Sequence, residues 1–194
     1  FVNFLDDDDS LHHRKIEKQL EKFKTVSDKV GVIQCDLFYD REDINGKVKN
    51  RKKGYIYRDN LKSYCVKGTH ALLIRKKYLD MIGGWDERLK SGQEYDLNMR
   101  LSRFCKYDYV EEVLAYVNES DNQISFNFNK KLRGLTQLWN RYWVDFIRER
   151  VFIRNVVRFS ILFVEYALGK VDIRIYLGIR NMTHRISIFI KRGK

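Results

Sequence analysis

The run Asp6-Asp7-Asp8-Asp9 follows directly on the mostly apolar pentapeptide Phe1-Val2-Asn3-Phe4-Leu5. This junction constrains the chain more than any other feature. Four adjacent carboxylates repel one another and resist burial, so water, a helix start or a cation must compensate them. The pentapeptide reads as a short buried strand. The segment after the aspartates reads as a helix with Ile16, Leu20 and Phe23 on one face, its start capped by Ser10 or Asp9. A helix N-terminus favours negative charge by ~0.3–1 kcal/mol per group, which accounts for one or two of the aspartates and not for four. A calcium loop has Asp6, Asp8, Ser10 and Glu17 at usable positions, but Leu11 stands where such a loop turns sharply on glycine. Zinc held by His12 and His13 is disfavoured because adjacent helical residues point about 100° apart. An Asp-x-Asp pair at a strand end can also give Mg²⁺ or Mn²⁺ one or two oxygens and leave the remaining positions to a diphosphate.

Downstream, residues 30–39 have the composition of a strand. Asn45-Gly46 signals a loop or short hairpin. Residues 71–82 run from strand into helix, and Gly83-Gly84 stops that helix. The stretch from Ser91 to Phe104 predicts a helix with Leu97, Leu101 and Phe104 on one face, and residues 106–118 predict another strand. Strands alternating with helices imply an α/β domain with a mainly parallel sheet and flanking helices. Ligands of such sheets sit beyond the carboxyl ends of the strands, where the four aspartates lie. Within Ser91-Gly92-Gln93-Glu94 the S-x-x-E pattern also matches a capping box.

FLDDDDSLHHRKIEKQ resembles the Asp-x-Asp segment of family 2 glycosyltransferases, which have the GT-A fold. IGGWDERLKSGQEYDLNMRLSRF resembles that family's second signature, and the likeness runs through nearly all of residues 1–128. The resemblance implies a partial GT-A, Rossmann-like sheet, because the family's first strands, which precede Asp-x-Asp, are not in this sequence. The chain alone is therefore expected to bind nucleotide poorly. The resemblance further implies that Asp8 ligates Mg²⁺ or Mn²⁺, that Asp6 approaches either the nucleotide's ribose or, through water, the metal, and that Asp6, Asp7 and Asp8 border the nucleotide sugar. Glu94 stands at the place of the catalytic base, with Gln93 where an acidic residue is common. Trp85, Asp86, Glu87 and Gln93 fall on the acceptor side. The implied reaction is inverting transfer of a sugar from a nucleotide-diphosphate sugar to a hydroxyl of a saccharide or lipid-linked acceptor, as in polysaccharide or glycoconjugate synthesis. Asp96 and Arg100 are spaced to pair along a helix.

Charge divides the chain at about residue 130. Residues 1–129 hold 23 Lys/Arg against 22 Asp/Glu, and residues 130–194 hold 15 against 4. Two regions are therefore expected: a catalytic domain over 1–129 and a helical basic region over 130–194, which suits an anionic partner such as a membrane surface. Within the apolar stretch 151–169 the longest uncharged run, Phe159 to Val164, is far short of the ~20 residues that span a bilayer. Cytoplasmic placement, peripheral on the inner face of the membrane, is the expectation. Cys35, Cys65 and Cys105 form no CxxC pair, which disfavours a zinc ribbon or a disulfide framework and suits a reducing compartment. One alternative is a non-enzymatic nucleic-acid-binding protein using Trp139, Arg141, Tyr142 and Trp143, which lack a recognisable binding motif. The other is a degenerate, inactive transferase.

Overall fold

A computed structural model describes residues 1–40, 45–118 and 128–168. The chain forms two compact units, Phe1–Arg88 with Gln93–Gln123, and Leu89–Gly92 with Ile124–Lys194.

The first unit is α/β. Its elements are β1 (Ser10–Leu11), α1 (Lys15–Lys24), β2 (Val30–Asp40), β3 (Asn45–Val48), α2 (Tyr57–Lys62), β4 (Leu72–Ile74), α3 (Lys76–Met81), α4 (Gln93–Phe104) and β5 (Lys106–Asn118). The sheet runs β1-β5-β2-β3, and β4 also pairs with β2. β2 is its spine. Val30 to Leu37 are buried without a break, as a strand covered on both faces must be. One edge of β2 pairs with β5. The other edge is shared end to end by β4, opposite Val32–Gln34, and β3, opposite Leu37–Asp40.

The sheet is mixed, which corrects the expectation of a mainly parallel one. Only β2 and β5 run parallel; β1, β3 and β4 each pair antiparallel. Strand direction depends on how each connection returns, and the local pattern of side chains does not encode it. The hairpin that Asn45-Gly46 signals is present, since β2 and β3 pair antiparallel, but the two residues themselves lie inside β3, opposite Asp40 and Tyr39. The N-terminal pentapeptide is no regular strand either. Only Val2 bridges the sheet, exchanging two backbone hydrogen bonds of 2.8 and 2.9 Å with Ile74.

Helix α1 starts later than its sequence signals suggest. Ser10 is taken into β1 opposite Tyr116, and the Asp9 carboxylate accepts from the Asn118 N–H, so neither caps the helix. Arg14 occupies the N-cap position without a side-chain capping bond. The buried face of α1 carries Lys15, Gln19 and Phe23, while Ile16 faces outward. Gln19 Nε2 donates to the carbonyls of Ile33 and Ala71, both at 2.9 Å, and its Oε1 accepts from Lys15 Nζ at 2.8 Å. A polar peg thus donates to two buried carbonyls, of which that of Ala71 also accepts from Cys35 Sγ at 3.4 Å.

Burial lowers the Lys15 pKa to about 8, and the nearby Cys35 thiol stays neutral because burial pushes it up to about 12. The unfolded chain then binds the lysine proton more tightly than the native state does, so this group adds stability as pH rises above 7. Between pH 7 and 8.5 the wild type is expected to gain about 1 kcal/mol relative to Lys15→Met. Urea unfolding of both proteins at the two pH values checks this; parallel changes would show that Lys15 is not the source.

Helix α4 packs Leu97, Met99 and Leu101 into the core. Phe104 is 51% exposed, because the chain leaves the helix there for β5. Asp96 and Arg100 do pair, at 2.7 Å, and Arg100 Nη1 also donates to the carbonyls of Ile82 and Gly84 at 2.8 and 2.7 Å. One guanidinium thereby ties the Gly83–Gly84 turn to α4. Both glycines have φ near +70° (74° and 69°), the left-handed conformation that ends α3.

The second unit contains α5 (Phe128–Arg148) and α6 (Phe152–Leu168). Trp139 packs against Phe146, Phe152 and Phe159 with ring centroids 5.1–5.7 Å apart, and Tyr142 is buried. Trp139 and Tyr142 are therefore spent in helix packing. The two helices flank an apolar cavity of about 390 Å³ whose lining includes Leu135, Trp139 and Phe163. Among the described residues no helix is long and apolar enough to cross a membrane.

Candidate functional site

The acidic run folds as a turn, with the Asp9 N–H donating to the Asp6 carbonyl at 3.3 Å. Two contacts hold this turn to the end of β5. The Asn118 N–H donates to Asp9 Oδ1 at 3.2 Å, and Asn118 Nδ2 donates to the Asp8 carbonyl at 2.7 Å. Asp6, Asp7 and Asp8 are exposed, whereas Asp9 is half-buried. The turn places successive side chains in different directions, and Asp9 is the one directed inward.

Opposite the turn lies a segment to which the sequence assigned no role, Gly68-Thr69-His70, at the head of β4. Thr69 and His70 belong to a single 3₁₀ turn, and both are buried. His70 is only 4% exposed. Its Nδ1 lies 3.2 Å from Asp9 Oδ2, out of line for a hydrogen bond, and neither ring nitrogen has a hydrogen-bond partner among the described residues. Gly68 makes this packing possible. Its φ is +63°, and a Cβ there would stand 2.7 Å from His70 Cε1 and 2.9 Å from Leu37 Cδ2.

Thr69 reaches the other way. Its N–H and Oγ1 donate to Glu94 Oε1 at 3.2 and 3.0 Å, while Tyr64 Oη donates to Glu94 Oε2 at 2.8 Å. The carboxylate of Glu94 is thus oriented by residues from before β4. This tertiary role differs from the local one that a capping box would give it. Glu94 remains half-buried, within reach of a ligand. The consecutive residues Thr69 and His70 therefore bring together carboxylates that lie about ninety positions apart in the chain.

The electrostatics agree with this geometry. Burial raises the Asp6 pKa above the ordinary carboxylate value, and the charges of Glu94, Asp8 and Asp7 add to the effect while His70 opposes it. Burial also raises Asp9, against the pull of His70. His70 is lowered by burial, with Asp9, Glu94 and Asp6 resisting. Each group is perturbed by the others, a pattern concentrated at functional sites.

Asp6, Asp9 and His70 each offer one ligand atom, and these atoms all lie within 4.8 Å of one another. Two carboxylates beside an imidazole with unpartnered nitrogens fit a divalent cation. Asp8, the residue implied as the direct ligand, is outside this group.

On the acceptor side, Trp85 is half-buried, with its ring edge-on to Phe4 at 5.1 Å and packed against the core. Asp86 accepts from Arg88, with Nε to Oδ1 at 3.0 Å, and Glu87 is exposed. Gln93 opens α4 next to Glu94. No protein-family model matches the chain, and no curated protein matches it.

The part of this site that sequence reasoning missed is the Gly-Thr-His segment. A glycine followed by two polar residues immediately before the apolar Ala71–Ile74 run was the available signal.

Proposed function

We propose that the protein is an inverting, metal-dependent glycosyltransferase that moves a sugar from a nucleotide-diphosphate donor to an acceptor hydroxyl. What supports the reading is the convergence of the acidic turn and Glu94 on Thr69-His70. An acidic cluster able to accept a cation, with Asp6 exposed at its rim, then lies within Coulombic range of a single oriented carboxylate.

In this reading Glu94 accepts the proton of the acceptor hydroxyl as its oxygen attacks the anomeric carbon. The bond from that carbon to the diphosphate breaks in the same displacement, so the configuration inverts and no sugar–enzyme bond forms. Tyr64 and Thr69 fix the carboxylate's direction and leave lone pairs for the acceptor. A divalent cation bound by Asp6, Asp9 and His70 would supply charge neutralisation of the leaving diphosphate. The Gly83–Gly84 turn, latched by Arg100, presents Trp85 to the acceptor. The acceptor is a saccharide or a lipid-linked hydroxyl. Exposed Ile153, Val157 and Phe163 on α6, together with the basic excess of residues 130–194, suit contact with an anionic membrane surface.

The test is a panel of nucleotide sugars offered to the full-length gene product with Mg²⁺ and with Mn²⁺. The expected result is release of nucleoside diphosphate from one donor and a product whose anomeric configuration, read by NMR, is opposite to the donor's. Retention of configuration, or no turnover of any donor, would overturn the reading.

A further inference from the structure

The imidazole of His70 stands beside the Asp9 carboxylate, and no hydrogen bond among the described residues accounts for its burial. It is 4% exposed, and both ring nitrogens lack hydrogen-bond partners. An unsatisfied buried polar group costs about 1–3 kcal/mol. The ring occupies space that only a glycine at position 68 leaves free. It faces two carboxylates, one of them the half-buried Asp9.

The separation between these groups fits two adjacent ligands on one ion. Ligands at right angles, each about 2.1 Å from a metal, stand about 3 Å apart. His70 Nδ1 and Asp9 Oδ2 are 3.2 Å apart without the alignment of a hydrogen bond. A filled site would satisfy one of the two imidazole nitrogens and offset the repulsion between Asp6 and Asp9 at once.

We propose that Asp6, Asp9 and one imidazole nitrogen of His70 ligate the cation directly, that Asp8 does not, and that the nitrogen makes the site select a first-row transition-metal ion such as Mn²⁺ over Mg²⁺. Mg²⁺ takes oxygen ligands and gives up its water reluctantly, whereas imidazole suits first-row transition ions. The inference deepens the transferase reading, on which its catalytic meaning rests. The ligand set itself stands on geometry alone.

The test is Mn²⁺ binding by the purified chain without substrate, followed by loss of the free-ion electron paramagnetic resonance signal, with pulsed measurement of ¹⁴N coupling. Wild type is expected to bind one Mn²⁺ with ¹⁴N coupling and to resist displacement by about a tenfold excess of Mg²⁺. His70→Gln loses the ¹⁴N coupling and binds Mn²⁺ about tenfold or more weakly, with little change for Mg²⁺. Asp9→Asn weakens Mn²⁺ binding comparably, and Asp8→Asn leaves it unchanged. Circular dichroism establishes that each variant is folded. Should His70→Gln fail to fold, the wild-type coupling and the contrast between Asp9→Asn and Asp8→Asn decide alone.

Absence of Mn²⁺ binding, absence of ¹⁴N coupling in the wild type, or a loss confined to Asp8→Asn overturns the assignment. Coupled Mn²⁺ without sugar transfer by the full-length product would instead overturn the transferase reading and leave the ligand set intact.

Discussion

Replacement of Gly31 by alanine is expected to destabilise the protein by about 3 kcal/mol, the upper part of the range for overpacking a filled core. Gly31 is buried near the start of β2, where its carbonyl accepts from the Arg75 N–H at 2.8 Å. A Cβ at this position would lie 2.5 Å from both Cys105 Sγ and Tyr78 Cδ2, and 2.6 Å from Cys105 Cβ. None of these atoms can yield easily. Cys105 is buried where α4 turns into β5, and Tyr78 is anchored through its hydroxyl to the Asp28 carbonyl at 3.0 Å. The cost comes from crowding, because the backbone at Gly31 is not left-handed. Urea unfolding measures it. Adding Cys105→Ala should recover part of the loss, since the Tyr78 contact persists. A Gly31→Ala protein of wild-type stability would mean that β2 is free to shift at this point.

The second large effect is on activity. Glu94→Gln is expected to lower kcat by about 10³-fold, the middle of the range for general acid–base catalysis, with the donor KM little changed. The amide is nearly isosteric, and its oxygen can still accept from Tyr64 or Thr69, so folding should lose only about 1–2 kcal/mol. Mn²⁺ affinity should hold within a few-fold, because Glu94 is not among the three clustered groups. The measurement is steady-state kinetics on the full-length product with the donor found in the panel. A variant retaining more than about a tenth of the rate would remove Glu94 from the role of base.

The elements of the fold were legible where a local pattern carries them. The apolar run that became β2, the passage from β4 into α3, its glycine stop, and the helix and strand that became α4 and β5 all stand where their composition puts them. Strand direction was not legible, because β4 runs antiparallel and β5 parallel to β2 and no local side-chain pattern encodes which. The inward face of α1 was misjudged because Lys15 and Gln19 take positions that periodicity assigns to apolar residues, and only the carbonyls of Ile33 and Ala71 explain why. At the site, Asp6 and Glu94 were legible as motif positions. Asp9 and His70 were not. A turn decides which of four identical neighbours points inward, and a histidine in a three-residue 3₁₀ turn has no period to betray it.

The double contact of Asn118 with the acidic turn joins two quantities that are otherwise independent. One is the position of the Asp9 carboxylate, a ligand of the proposed cation. The other is the position of Asn118 at the end of β5. Any ligand that shifts Asn118 must alter the affinity of the proposed site for its cation, and the cation must return the same free-energy bias.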